Sequence, residues 1–111
     1  MIGDKDLSVA SKMMDLCALR HKLLANNIAN ADVRGYRRRD ISFSNELQKA
    51  LENADTQRVA SLRCRVRQAS QPGVDPERET ARMAKNELLF DAFSRIAAHK
   101  IRMLRTAVRS K

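Results

Sequence analysis

The sequence predicts a mainly α, elongated protein. Its long N- and C-terminal helices are expected to pair as an antiparallel coiled coil, with a short irregular or β-arm centre. Three observations carry that expectation. Hydrophobic residues make up 43% of the 111 residues but aromatics only 4%, with no Trp, too little large aromatic surface for a single compact core. Charged residues reach 32% against three Gly and two Pro, a balance that favours long helices over strands and turns. Apolar residues recur at helical spacing near both ends of the chain and lose that spacing between them. The chain divides accordingly into an N-terminal helix (1–31), a loop, short helix and extended basic arm (32–75), and a C-terminal helix (76–111).

Residues 6–30 are the first periodic segment. Val9/Ala10, Met13, Leu16/Cys17, Leu23/Leu24 and Asn27/Ile28 follow helical steps, with Arg20 as the interruption. Asp6 or Ser8 caps its start, and Gly35 is the first position past its end that takes φ > 0 at no cost. Asn26, Asn27 and Asn30 crowd the last turns, although Asn costs roughly half a kcal/mol against Ala inside a helix. Two readings stay open. A fraying helix end tolerates asparagines; alternatively, amides buried between helices set register at some cost in stability, with Ala25 and Ala29 letting another helix approach closely.

The centre is less regular. "ISFSNELQKALENAD" predicts a short helix over 45–53, with Ser44 as its cap and Leu47, Ala50 and Leu51 on one side. From Leu62 to Arg67 apolar and basic residues alternate strictly, which fits a short strand or extended arm. "SQPGVD" is a turn signal that ends it.

The last segment is the most strongly patterned. Asp75 is an N-cap, Pro76 suits the first helical position, and Glu77 and Glu79 favour the positive end of the dipole. Met83, Asn86, Phe90, Phe93, Ala97, Ile101, Leu104 and Val108 step by three and four with no Gly or Pro before Arg109. Such a helix runs about 50 Å. The N-terminal helix is about ten residues too short to cover its narrow seam, so the remainder must meet other molecules.

The net charge is +9, with 15 Arg and 7 Lys, which invites acidic partners, nucleic acid or anionic surfaces. The charge is spread along the chain, and aromatics for base stacking are scarce. A small basic helical nucleic-acid-binding protein is therefore the rival reading, and the run Arg37, Arg38, Arg39 is its main support. Cys17 and Cys64 have no paired spacing, and Cys17 reads as a buried thiol on the apolar stripe. His21 and His99 read as solvated helix-face residues. No nucleophile elbow, P-loop or metal-ligand spacing stands out, so an enzyme, a cofactor, a metal site or a small-molecule substrate is not expected. The N-terminus lacks the apolar run of a Sec signal, and no window reaches 18 apolar residues, so a membrane span is not expected.

"LLANNIANADVRGYRRRDISF" (23–43) resembles the N-terminal signature of the bacterial flagellar basal-body rod and hook axial family, whose common form is "ANNIANADTPGYKRRD…F". "GVDPERETARMAKNELLFDAFSRIAAHKIRMLRTAV" (73–108) is similar to that family's C-terminal pattern. Order and spacing are most like a proximal-rod subunit. Val33-Arg34 departs from the family's Thr-Pro, Thr80 stands where Met is common, and Phe90 replaces a Tyr. The resemblance implies a structural subunit exported without a cleaved Sec signal into the periplasm-crossing rod, where paired terminal helices transmit torque and line the export channel. It also implies as partners other rod subunits and the chain itself, proximal ring and export-gate components, and a FliE-type adaptor. The residues it points to for assembly are Asn26, Asn27, Ile28, Asn30, Gly35, Tyr36, Arg37, Arg38 and Arg39, with Met83, Asn86, Phe90, Phe93, Ala97, Ile101 and Leu104. In this reading the three arginines pair with acids of adjacent subunits, the Asn cluster fixes register between subunits, and the helices order fully only on docking.

Overall fold

A computed structural model describes residues 4–42 and 64–110. Two long helices, α1 (Asp4–Ala29) and α2 (Pro76–Arg109), lie against one another, and two short strands, β1 (Arg39–Ile41) and β2 (Val66–Gln68), form an antiparallel ribbon between them in sequence. The molecule measures 63 × 24 × 16 Å with a radius of gyration of 17.0 Å. A compact chain of this length would have about 13 Å. The fold is therefore the expected elongated one. The expected helix over 45–53, and the Leu62–Arg63 start of the alternating arm, lie outside the described residues.

The antiparallel sense follows from three contacts that run in opposite directions along the helices. Asn27 meets Glu79, Cys17 meets Asn86, and Met13 with Leu16 packs on Phe93. On α1 the buried positions Ala10, Met13, Cys17, Leu24 and Asn27, with half-buried Arg20 between them, alternate steps of three and four, the spacing of a coiled-coil seam. On α2 the deepest line is Glu79, Asn86, Phe93 and Lys100, each one heptad from the next. Glu79, Asn86 and Lys100 are buried and Phe93 is half-buried. The centre of the α2 seam is thus mostly polar. Its apolar residues sit on the flanking lines Met83–Phe90–Ala97–Leu104 and Leu89–Ile96–Met103, which stay half-buried or exposed. One helix cannot roof three adjacent lines, so α1 covers the middle one and leaves the edges.

Helix α1 does not fray at its asparagines. The Asn30 amide nitrogen donates to the Asn26 carbonyl (2.8 Å), the same carbonyl that receives the Asn30 backbone N–H (3.1 Å). Tight turns then follow, Ala31 to Ile28, Val33 to Asn30 and Tyr36 to Val33. Gly35 closes the sequence at φ +81° with open space where a Cβ would stand, so glycine is there for its backbone. Helix α2 starts as its sequence predicts. The Asp75 carboxylate accepts from the Glu77 and Arg78 N–H groups, and Pro76 opens the first turn.

The ribbon joins segments distant in sequence, with Arg39 opposite Gln68, Asp40 opposite Arg67 and Ile41 opposite Val66. Ile41 is buried, whereas every side chain of β2 is exposed. Of the alternating apolar residues, Cys64, just before β2, is half-buried against Met13 and Leu16, whereas Val66 within the strand is exposed.

Candidate assembly interface

Two surfaces draw together the residues singled out in the sequence: a closed polar joint where α1, the turn, β1 and the start of α2 meet, and an open seam at the far end of α2.

The joint centres on Asn27, whose side chain is fully buried. Its Nδ2 donates to the Arg39 carbonyl (2.7 Å) and to Glu79 Oε2 (2.9 Å), while its Oδ1 accepts from the Tyr36 hydroxyl (2.9 Å) and the Arg39 N–H (3.0 Å). A primary amide has two donors and two principal acceptor directions; all are used. The backbone of Arg39 fixes which way the amide points, because its N–H needs the oxygen and its C=O the nitrogen.

Glu79, also fully buried, ties the joint to a chain of alternating charges. Arg38 Nε donates to Glu79 Oε1 (2.8 Å), and Arg82, one turn along α2, donates to the same oxygen. Arg38 also reaches Asp40 Oδ2 (3.0 Å), and Arg20 from α1 grips both Asp40 oxygens at 2.9 and 3.2 Å. Burial alone would push the Asp40 and Glu79 carboxyls up. Hydrogen bonds from Arg20 and Arg38 to Asp40, and from Arg38 and Asn27 to Glu79, outweigh it and hold both below the usual carboxylate range. The same carboxylates raise Arg38 against the lowering effect of its burial.

Within the chain, two of the residues expected at an assembly contact already have internal partners. Arg38 pairs within its own chain, so of the three arginines only Arg37 and Arg39 keep exposed side chains for another subunit. All four hydrogen bonds of Asn27 are internal, so within the chain it sets the register of its own helices. Asn26 is exposed, Asn30 serves the helix end, Ile28 is half-buried, and Ala25 and Ala29 face outward. The Val33-Arg34 turn forms without the family's proline.

The joint's other members were hidden in the sequence. Glu79 reads there as a dipole residue, Arg20 as a blemish on the stripe and Asp40 as a flanking charge. A signal existed: Glu79 stands one heptad before Asn86 and two before Phe93, and an arginine interrupting a buried stripe demands a carboxylate.

Along α2, Asn86 Nδ2 donates to the Cys17 carbonyl (2.8 Å), while its buried Oδ1 has no partner among the described residues. Burial raises the thiols of Cys17 and Cys64, against opposing charge from Arg20 and Lys12. Met83, Phe93 and Ala97 are half-buried. Phe90, Ile101 and Leu104 are about 40% exposed, and Val108 is 74% exposed. Every side chain from Ile101 to Ser110 is exposed. Among the described residues no cluster of His, Cys, Asp and Glu could hold a metal, and no helix is long and apolar enough to cross a membrane.

No family model matches the chain. Curated relatives do, each named flagellar basal body rod protein FlgB. That of Escherichia coli (strain K12) is 42% identical over 60 residues, covering 53% of this chain and 44% of that protein. That of Salmonella typhimurium is 46% identical over 48 residues, covering 43% and 35%. That of Borrelia hermsii aligns over 133 positions at 20% identity, covering 97% and 98%. In the stronger matches the chain spans less than half the length of the relative. The chain thus resembles the bacterial flagellar basal body rod proteins, and among them FlgB, strongly over part of its length and weakly over nearly all of it.

Proposed function

We propose that the chain is a non-enzymatic structural subunit of the flagellar basal-body rod, built to be packed by neighbouring subunits. The observation that carries this reading is the unequal helix pair: a 34-residue α2 beside a 26-residue α1, with its apolar residues on the flanks and on the uncovered end. A chain whose function was complete in itself would bury those residues. The likeness to rod proteins FlgB supports the same reading. In the rod the helix pair lies along the axis, lines the channel and carries torque, with the closed joint keeping the two helices in register under load. Other rod subunits, further copies of this chain, the proximal ring and export gate, and a FliE-type adaptor are the proposed neighbours, reached by export without a cleaved Sec signal.

The test is deletion and recovery in the parent bacterium. Loss of the chain abolishes swimming and rod completion, and a tagged copy restores both and co-purifies with detergent-extracted basal bodies. Normal motility in the deletion strain, with the tagged chain absent from basal bodies, would refute the proposal. For the rival nucleic-acid reading the arginine run is reduced to Arg37 and Arg39, because Arg38 is paired with Glu79 and Asp40.

A further inference from the structure

We infer that the free end of α2 is a docking site for a carboxylate-bearing amphipathic helix of a different protein, not for a second copy of this chain. This rests on the reading of the chain as an assembling subunit and specifies the chemistry of one neighbour.

Continuity with the existing interface comes first. Ala97, Ile101, Leu104 and Val108 extend the side of α2 on which half-buried Phe93 meets α1. A helix laid on that extension would lie end to end with α1 and take the same kind of seat. Ile101, Leu104 and Val108, edged by Arg105 and Arg109 one turn apart, line a shallow, open depression of about 300 Å³. The depression is wide enough for aliphatic side chains from a facing helix, and its rim is cationic.

Charge then decides the occupant. No acidic side chain follows Asp91, whereas Arg95, Lys100, Arg102, Arg105, Arg109 and Lys111 do. Arg105 and Arg109 are exposed, and no ion pair within the described residues engages them. Charges beside a helical seam choose the partner, since like charges across it are destabilising and opposite ones favourable. An arginine rim with no acidic partner among the described residues therefore selects carboxylates flanking the incoming apolar residues.

A second copy is a poor match. Stacked end to end, it would present its joint, where residues 30–42 and 64–79 carry seven arginines against five carboxylates. Asp40 and Glu79 are already held by arginines of their own chain. With a net charge of +9 on each copy, self-association at this end sets basic surface against basic surface.

The experiment uses the full chain, its Arg105→Glu/Arg109→Glu variant and two synthetic helical peptides. The peptides share one Leu/Ile seam, flanked by Glu in one and by Lys in the other, and binding is read by fluorescence anisotropy. The wild-type chain should bind the Glu-flanked peptide at least about tenfold more tightly than the Lys-flanked one. The preference should invert in the variant and weaken with added salt. Circular dichroism should show unchanged helix content, because both substituted residues are exposed. Three results would overturn the inference. One is equal binding, or none, for both peptides. Another is a wild-type oligomer in sedimentation that the double substitution dissociates, which would make this end a self-contact. The third is binding to phosphatidylglycerol vesicles that the Glu-flanked peptide cannot displace, which would make the surface a lipid contact. If the peptides fail while the tagged chain still enters basal bodies, only this inference falls. If the peptides behave as expected and the chain is absent from basal bodies, it is the rod assignment that fails.

Discussion

At one end of the helix pair, Asn27 and Glu79 are fully buried and every polar atom of the Asn27 amide has a partner in the same chain. At the other end, Ile101, Leu104 and Val108 are large, apolar and exposed, and Arg105 and Arg109 stand beside them with no carboxylate partner among the described residues. Polar groups are buried where the chain completes itself, and apolar groups are open where it does not. The physical logic is one of specificity against affinity. Buried amides and ion pairs contribute little net stability but punish any misalignment. Apolar surface attracts many partners with little direction. An assembling subunit gains from rigid internal register at one end and an adhesive seam at the other.

The comparison breaks most severely if Glu79 is removed. Glu79→Ala leaves Arg38, Arg82 and the Asn27 amide facing a void. It should destabilise the chain by about 3 kcal/mol in urea unfolding, the low end for a broken buried pair because both arginines keep some solvent. Asn27→Ala should cost about 2 kcal/mol, since the Tyr36 hydroxyl and both backbone groups of Arg39 lose their partner together. Asn27→Leu should likewise lower the melting temperature of the isolated chain, a result that a purely inter-subunit role would not produce.

Acid acts on the same joint more gradually. The Asp40 and Glu79 carboxyls are held below their ordinary values of 3.8 and 4.5. Their contribution is complete above those values and is lost as pH falls through the lowered, folded-state ones. Thermal melts should therefore be flat above about pH 5 and drop steeply below pH 4, and Asp40→Asn should reduce the slope. At the open end the expectation reverses. Leu104→Asp should change stability by less than about 0.5 kcal/mol, as an exposed substitution, yet abolish recovery of the chain in basal bodies. Between the two ends opposing contributions nearly cancel. Asn86→Leu removes an unpartnered buried oxygen along with one hydrogen bond, and should leave stability within about 1 kcal/mol of wild type in either direction.

How much of this was legible beforehand varies element by element. Helix α2 was readable to its cap, because Asp75, Pro76 and Glu77 act within one turn and need nothing distant. The seam of α1 was readable from its spacing, and so was the mismatch in length between the helices. Strand β1 was not, because three residues of "RRRDIS" have no alternation and become a strand only by pairing with Val66–Gln68. The asparagines show the limit most clearly. Their clustering marked the place, but Asn26, Asn27 and Asn30 look alike in sequence and do three different things. Asn26 is exposed and lends its carbonyl to the helix end, Asn30 closes that end, and Asn27 alone is the hub.

The sequence by itself determined what local and periodic chemistry can determine: two long helices, the Asp75 cap of α2, a glycine turn at Gly35 and a seam longer than its partner. These depend on residues within a turn or two of one another. The expected cap of α1 at Asp6 or Ser8 falls inside the helix, which begins at Asp4. Only the tertiary structure decided which charges meet. Arg20, Asp40, Arg38, Glu79 and Arg82 span 63 positions of chain and come from α1, β1 and its approach, and α2. Their pairing follows from how the antiparallel helices align and from the ribbon that folds back across them. Pairwise electrostatics falls off with distance in space, not in sequence, so a residue that reads as a flaw in a helix stripe, such as Arg20, becomes a structural contact once the fold supplies its partner.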